Sequence, residues 1–201
     1  MNRTRRQRWV LATSNRGKLA EYAELLVGTG IELNPLDGAT DILPEETGAT
    51  FVENALIKAR HAAVTTGQAA IADDSGLCVA ALNGAPGVRS ARYAGARASD
   101  ADNIERLLRE LDAVPVDQRQ AAFYCVIVAL ESPSDPAPIV ACGCWHGQIA
   151  AGPRGSHGFG YDPVFFDPEF GLTAAELPTQ QKNAVSHRAR ACAELRRQLA
   201  S

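Results

Sequence analysis

The run Ala69-Ala70-Ile71-Ala72 followed by Asp73-Asp74-Ser75-Gly76 is the stretch of this sequence that decides the fold class. A short apolar run is typical of a buried strand, and adjacent acids before a small hydroxyl and a glycine predict a tight turn at its end. Open α/β sheets place their ligand sites at the carboxyl ends of their strands. Two carboxylates there suit a hard cation such as Mg²⁺, which leaves its other coordination positions to water and phosphate.

Strand and helix signals alternate over the first half of the chain. Residues 9–12 form an apolar run that predicts a strand, and a polar loop joins it to apolar residues at helical spacing. A second helix is predicted to begin with a capping box at Thr50, and a third helix at Ser99. The Ile71 strand and its acidic turn lie between these two helices.

The second half has a different character. Residues 121–130 and 139–150 are rich in Val, Ile, Phe, Tyr and Trp, and a Pro-rich segment separates them, which predicts two long antiparallel strands. Residues 152–163 form a glycine-dense loop that can approach a ligand closely. Ser186 is predicted to cap a last helix that carries His187 in its first turn.

The composition is that of an ordinary globular protein: 201 residues, 46% hydrophobic and 21% charged, with a net charge of −3. This length fits one domain with one or two lobes, and the negative charge argues against long nucleic acid as a partner. Neither a secretory segment nor a membrane-spanning run is present, which predicts a cytoplasmic protein. Five cysteines without a Cys-x-x-Cys pair predict buried free thiols, with no zinc site.

Arginines cluster in residues 1–8, which we interpret as a basic tail before a single domain of residues 9–201. Such a cluster is either an arm that binds phosphate or a solvated tail. No aromatic residue is interleaved with these arginines, which favours the solvated tail.

The loop after the first strand has the composition of an anion site. It joins a strand end to a helix start, where free backbone N–H groups and the helix dipole favour phosphate. Its candidate residues are Thr13, Ser14, Asn15, Arg16, Gly17 and Lys18. A well-capped helix with a surface lysine explains the same residues, because the pattern is not that of a P-loop.

Glu45 and Glu46 precede the second helix, and Lys58 lies within it. Acids near a helix start usually interact with the helix dipole. Together with Asp73 and Asp74, they would also offer the oxygens that a Mg²⁺–phosphate site needs. Lys58 is either a solvated lysine or a second phosphate contact, and how the four acids share a metal stays open.

The carboxyl-terminal third carries side chains suited to a planar base. Phe159 and Tyr161 can stack on a base. The side chains that can hydrogen-bond to its edges are Asp162, Lys182, His187 and Arg188. Each also has a structural explanation, as a core aromatic, a solvated lysine or a helix cap. Only their occurrence in one chain with the phosphate loop favours a nucleotide site.

Seven blocks occur in order along this sequence. They are Thr13-x-Asn15-x-x-Lys18, Glu45-Glu46-Thr47-Gly48, Thr50-Phe51-x-Glu53-Asn54-Ala55, Ala72-Asp73-Asp74-Ser75-Gly76, Gly84-Ala85-Pro86-Gly87, Gly158-Phe159-Gly160-Tyr161-Asp162-Pro163 and Ser186-His187-Arg188. Together they resemble the inosine triphosphate pyrophosphatase family. The resemblance runs from about Val10 to the last helix, and the ordered set is far more specific than any one block.

The resemblance implies an α/β fold in which helices flank an elongated mixed sheet, with two lobes and a nucleotide cleft between them. It implies a homodimer that requires Mg²⁺ and hydrolyses non-standard purine nucleoside triphosphates (dITP, ITP, XTP) to the monophosphate and pyrophosphate. Glu45 and Asp74 would bind the metal, and Asp74 would also accept a proton. Residues 13–18 would hold the phosphates. The other substrate contacts would be Ser75, Phe159, Gly160, Tyr161, Asp162, Lys182, His187 and Arg188.

Two features depart from the bacterial members of that family. Ser14 stands where glycine is usual, and the arginine-rich residues 1–8 precede the usual start. Neither predicts a loss of activity. The alternatives are a pyrophosphatase for other modified nucleotides and a nucleotide sensor without turnover. The retained Glu45, Asp74 and Lys18 argue against the sensor.

Overall fold

The protein contains a mixed sheet of seven strands in the computed structural model, which describes residues 7–13, 15–27, 31–35 and 44–200. The strands are β1 (Gln7–Leu11), β2 (Ile31–Pro35), β3 (Ala69–Val79), β4 (Gln120–Leu130), β5 (Ile139–Ile149), β6 (Phe165–Asp167) and β7 (Leu172–Thr173). Their order in the sheet is β2-β1-β3-β4-β5-β6-β7. Strand β1 runs parallel to β2 and β3, whereas β6 is antiparallel to β5 and β7. The predicted α/β class with a mixed sheet is confirmed.

Four helices lie where the sequence predicts them, whereas the short helix over residues 179–185 was not predicted. Within the described residues the helices are α1 (Arg16–Leu25), α2 (Phe51–Thr66), α3 (Asp100–Glu110), α4 (Thr179–Val185) and α5 (His187–Leu199). Thr50 and Glu53 form the predicted capping box of α2, and Ser99 forms one with Asp102 at α3. The Ser186 hydroxyl accepts a hydrogen bond from the backbone N–H of Ala189 in the first turn of α5. Each cap satisfies backbone donors that a helix start leaves unpaired.

The chain divides into two compact units. Unit 1 comprises Met1–Asp74, Cys125–Gly143 and Ala191–Ser201, and unit 2 comprises Ser75–Tyr124 and Cys144–Arg190. Strand β1 begins at Gln7, so the last two residues of the expected tail belong to the sheet. The first six lie outside the described residues.

Unit 1 buries both faces of its strands. Trp9 and Leu11 pack in one apolar cluster with Tyr22 of α1, while Val10 packs in another with Ala59 of α2. Successive side chains of a strand point to opposite faces, so a continuous apolar run such as residues 9–12 is what a strand covered on both faces requires.

Unit 2 has a core rich in aromatic rings. Phe123 of β4, Trp145 of β5 and Phe165 of β6 pack together, with ring centroids 4.5 to 6.4 Å apart. Leu107 of α3 belongs to the same cluster. This core supports the strands and loops that carry the candidate base-binding residues.

The predicted turn at residues 72–76 is wrong. Strand β3 continues without interruption from Ala69 to Val79, so Asp73 and Asp74 lie in the middle of a long strand. Local preference of Asp, Ser and Gly for turns is overridden here because Leu77 and Val79, both fully buried, extend the strand into the core of unit 2. The two acids therefore project to opposite faces of the sheet.

The five cysteines are free, but they are not all buried as predicted. Cys125 and Cys192 are buried, whereas Cys142 is exposed on β5. Partial desolvation of the thiol and the charge of Glu194 raise the pKa of Cys142. No helix in the described part of the chain is both long and apolar enough to cross a membrane.

Candidate functional site

The loop between β1 and α1 is held by its own polar side chains. The Asn15 carboxamide caps α1 by accepting from the backbone N–H of Lys18 at 3.1 Å. Thr13 is nearly buried, and its hydroxyl accepts from the N–H of Asn15. Ser14 lies outside the described residues. Arg16 and Gly17 form the first turn of α1, where backbone N–H groups are available to an anion.

Lys18 and Asp73 form a largely buried ion pair. The Lys18 ammonium lies 2.7 Å from a carboxylate oxygen of Asp73, whose side chain is fully buried. The pair joins α1 to the middle of β3, on the face of the sheet that α1 covers. The lysine is thereby held beside the candidate phosphate loop rather than in bulk solvent.

Asp74 belongs to a second cluster on the opposite face, at the start of α2. One oxygen of its carboxylate lies 3.0 Å from the Lys58 ammonium, and the other accepts from the Asn54 amide at 3.2 Å. The Lys58 ammonium also contacts Glu46, at 2.6 Å. Asn54 and Lys58 are four residues apart on α2, so they share one helix face. Asn54 further accepts from the backbone N–H of Gly48, which ties the acidic loop to this cluster.

Burial and charge shift the pKa values in this cluster. Burial raises the pKa of Asp74, and the Glu46 carboxylate adds to that effect against the opposing charge of Lys58. Burial alone would lower the pKa of Lys58, but the carboxylates of Asp74, Asp73 and Glu46 outweigh it and raise the pKa. A carboxylate with a raised pKa beside a firmly charged lysine is an arrangement typical of acid–base sites.

The donor set of this cluster suits a hard cation. Asp74 and Glu46 carry two negative charges against the one positive charge of Lys58, so the cluster has an excess of negative charge that a cation would balance. Glu45, the other expected ligand, is exposed on the adjoining loop. No three His, Cys, Asp or Glu side chains in the described ranges form a ready metal site. Mg²⁺ commonly uses one or two carboxylates and completes its shell with water and substrate phosphate, so these residues fit it.

Unit 2 carries the second candidate cluster, around Phe159. The Lys182 ammonium lies 2.7 Å from the Asp162 carboxylate in a buried ion pair, and the same oxygen accepts from the backbone N–H of Phe159. The Lys182 and Arg188 cations lie 5.2 and 5.5 Å from the centre of the half-buried Phe159 ring. Both cations therefore contact the ring, and part of the Phe159 surface is exposed.

His187 and Arg188 lie at the start of α5, and both are buried. The Arg188 guanidinium donates to the Ser75 hydroxyl at 3.3 Å. The His187 ring stacks on Phe123, with centroids 4.8 Å apart and planes inclined by 15°. The structure thus brings Ser75, Phe159 and Arg188 together, as well as His187 and the aromatic core.

Neighbouring residues fix the glycine-dense loop. Tyr161 is buried, and its hydroxyl donates to the backbone oxygen of Ser90, so it anchors the loop instead of offering an open ring face. The Gly160 N–H donates to the Asp100 carboxylate at 2.7 Å. Gly158 has a φ of +78°, and a Cβ there would lie 2.0 Å from an Asp162 oxygen, so only glycine fits.

Sequence reasoning left several of these partners out of the predicted site. Asn54 and Lys58 were identifiable, because their spacing of four places both on one face of a predicted helix. Nothing in the sequence marked Asp100 or Phe123 as part of the site, because they contact Gly160 and His187, which lie about 60 positions further along the chain.

The fold and these charge clusters define an α/β protein suited to an anionic, phosphate-bearing ligand. The sequence profile of the Ham1 family matches residues 9–198. The dITP/XTP pyrophosphatase of Coxiella burnetii is 54% identical over 186 residues, covering 92% of this chain and 93% of that protein. The dITP/XTP pyrophosphatase of Halorhodospira halophila is 57% identical, covering 90% and 92%. The solved HAM1 protein of Coxiella burnetii superposes with a TM-score of 0.90 at 52% identity, covering 96% and 98%.

This chain belongs to the Ham1 family.

Proposed function

We propose that this protein hydrolyses the non-standard purine nucleoside triphosphates dITP, ITP and XTP to the monophosphate and pyrophosphate, which keeps them out of DNA and RNA. It is then a nucleoside triphosphate pyrophosphatase, a hydrolase acting on an acid anhydride. The observation that carries this proposal is the buried Asp74–Lys58 pair with Asn54, in a chain that matches a dITP/XTP pyrophosphatase over 92% of its length.

The phosphates are assigned to the clusters of unit 1. A triphosphate carries several negative charges, which must be balanced before a water molecule can approach phosphorus. Lys18 and Lys58 supply positive charge, and their carboxylate partners hold both ammonium groups in place. Residues 13–18 would add backbone N–H donors.

Asp74 is assigned the role of proton acceptor. Asn54 and Lys58 each bind one of its carboxylate oxygens, which fixes its orientation. A carboxylate oxygen has a second lone pair, so Asp74 can still accept a proton from an attacking water. Its raised pKa makes it a stronger base than an ordinary aspartate.

Mg²⁺ is the proposed cofactor, with Glu45 and Asp74 as its protein ligands. When bound, the ion would neutralise phosphate charge. The oxygen donors of the cluster and its excess of negative charge support this assignment.

The base is assigned to the cluster of unit 2. The bases of dITP and XTP carry a carbonyl at position 6, whereas adenine carries an amino group there. Arg188 and His187 can donate to the carbonyl, and the same donors facing adenine would stay unpaired, at a cost of about 1–3 kcal/mol per buried group. Phe159 would offer its exposed ring surface, and Ser75, Gly160, Tyr161, Asp162 and Lys182 would complete the pocket.

Further parts of the proposal rest on the family resemblance and the composition. We assign the chain a cytoplasmic location, a homodimeric state and no nucleic-acid or membrane partner. We also assign it one catalytic domain over residues 9–201, to which Gln7 and Arg8 of β1 add, after a basic tail. Sedimentation equilibrium at several concentrations would test the dimer.

A product assay tests the activity. The purified protein is incubated with Mg²⁺ and dITP, XTP, ATP, GTP or dTTP, and pyrophosphate is separated from orthophosphate. We expect pyrophosphate from dITP and XTP and little from ATP or GTP. Orthophosphate or a preference for dTTP would assign the protein to another nucleotidase, and no turnover would favour a sensor.

The same assay tests the base-recognition residues. Arg188→Ala should lose much of the discrimination against ATP, because it removes a donor to the position-6 carbonyl. Arg190→Ala is the matched control, since Arg190 is an exposed arginine one half-turn away on the same helix. Parental discrimination in Arg188→Ala would contradict the assigned role.

A further inference from the structure

We propose that Phe123 is a positioning residue for base recognition: its ring fixes the plane of the His187 imidazole. The inference rests on the proposed function, in which His187 donates to the base. Phe123 itself touches no substrate in this scheme and acts through His187.

The stack between the two rings is close and nearly parallel. Their centroids lie 4.8 Å apart with planes inclined by 15°. Phe123 is 7% exposed and His187 is 4% exposed, so neither ring can turn freely into solvent. Stacked rings at this separation are a favourable aromatic arrangement.

Phe123 is itself packed against other rings of the unit 2 core. Phe165 contacts it with centroids 4.5 Å apart and planes inclined by 41°, and Trp145 packs on Phe165 at 4.9 Å. The aromatic core of unit 2 therefore fixes the Phe123 ring, and that ring in turn offers a fixed flat surface to the histidine. Phe165 lacks a comparable stack on His187 among the described ring contacts, which makes it a useful comparison.

The orientation of the His187 ring must be fixed by packing, because the last side-chain torsion of histidine has a broad distribution of angles. The rotation of an imidazole about its last side-chain bond has only a shallow preference, so packing must choose the angle. The strength of a hydrogen bond falls steeply as its angle departs from linear. A histidine whose ring plane is restrained can form a well-aligned hydrogen bond to a base carbonyl but none to an amino group. A freely rotating ring distinguishes the two bases less.

The test compares Phe123→Met with Phe165→Met. Both changes replace a buried ring of the same core by a flexible apolar side chain, but only the first removes the surface beneath His187. We expect Phe123→Met to lower the ratio of kcat/KM for dITP over ATP about 3- to 10-fold, the effect of misaligning one hydrogen bond. Phe165→Met loosens the packing around Phe123 but leaves the surface beneath His187 in place, so it should lower the melting temperature and change that ratio by less than about twofold. Phe123→Tyr keeps the ring face and should restore the ratio.

A second readout reports on the ring itself. The sequence contains four histidines, so ¹⁵N-labelled imidazole signals are few enough to assign. The carbon-bound ring protons of His187, correlated with its ¹⁵N nuclei, should shift clearly in Phe123→Met through loss of the ring current, and shift less in Phe165→Met.

The outcomes separate this inference from the proposed function. A folded Phe123→Met protein with the parental ratio overturns the inference, as does an equal loss in Phe165→Met. If the parent protein does not prefer dITP over ATP, the proposed function fails instead. The histidine spectrum then still decides whether Phe123 holds the His187 ring.

Discussion

Replacing Asp74 by asparagine removes a carboxylate but keeps the size and shape of the side chain. We expect kcat for dITP to fall about 10²- to 10⁴-fold, which is the usual contribution of a general base. The asparagine carbonyl can still accept from Lys58, at the position where Asp74 now lies 3.0 Å from the ammonium, but a neutral amide cannot take a proton from water. Steady-state kinetics with pyrophosphate detection measures the loss.

The fold should survive this change because two effects on stability oppose each other. Burial and Glu46 raise the pKa of Asp74, so at pH values above that pKa the ionised carboxylate lowers stability, and asparagine avoids this cost. Lys58 loses one anionic partner but keeps Glu46, at 2.6 Å. The Asn54 amide loses its acceptor, because asparagine offers only one oxygen and that oxygen faces Lys58, and this loss acts against the gain. We therefore expect the melting temperature to change by less than about 4 °C, which corresponds to about 1 kcal/mol for a chain of this size.

Asp167→Asn is the matched control. Asp167 is a buried aspartate of β6 that accepts from the Trp145 indole at 2.7 Å and from the backbone N–H of Glu169 at 2.8 Å. Its replacement should lower the melting temperature and leave kcat unchanged, the reverse of the pattern expected for Asp74. An Asp74→Asn enzyme that hydrolyses dITP at the parental rate would refute the catalytic assignment.

The charge cluster, the glycine loop and the core provide other tests. A base must be ionised to act, so the rate falls as the pH drops through the pKa of Asp74. Glu46 helps to raise that pKa, and Glu46→Gln should move the acidic limb of the kcat/KM profile to lower pH, whereas an unmoved limb would mean that Asp74 is not the titrating base. Gly158→Ala should lower kcat/KM about tenfold or more, because the added Cβ would lie 2.0 Å from an Asp162 carboxylate oxygen and would displace this side chain from the proposed base site. Parental kinetics would show that the loop adapts. Trp9→Phe should lower the free energy of unfolding only by the packing that the larger ring provides, since the buried indole N–H that it deletes has no partner in the described residues. Trp145→Phe should lower the free energy of unfolding in urea by about 1–3 kcal/mol more than Trp9→Phe does, because it leaves the buried Asp167 carboxylate without its 2.7 Å indole donor. Equal losses of stability in the two variants would refute this account.

Local chemistry explains which parts of the fold were predictable. The caps at Thr50, Ser99 and Ser186 depend on hydrogen bonds between residues three positions apart, so the sequence alone specifies them. The buried run at residues 9–12 likewise predicts a strand covered on both faces. The supposed turn at residues 72–76 failed because pairing with other strands and burial of Leu77 decide that region, and neither is visible in a short window.

The candidate site was predictable as a set of residues but not as a set of contacts. Lys18 and Asp73 are 55 positions apart, and Asp74 is 16 positions from Lys58. Residue types suggest charge pairing, but only the fold decides which lysine meets which acid. The stack of His187 on Phe123 is a stronger case, since nothing in the local sequence of either residue marks the other.

Because Asp73 and Asp74 lie in strand β3 and not on a turn, fewer of the four acids can share the proposed metal ion. Two acids on a turn could bind one ion together, so the sequence alone did not decide which of them would bind the metal. In a strand, adjacent side chains leave the sheet on opposite faces. Asp73 accordingly meets Lys18 beside α1, whereas Asp74 meets Lys58 and Asn54 of α2. One ion cannot be shared across the sheet, so we assign the proposed metal to Asp74 and the acidic loop before α2. Asp73 instead pairs with Lys18, beside the candidate phosphate loop.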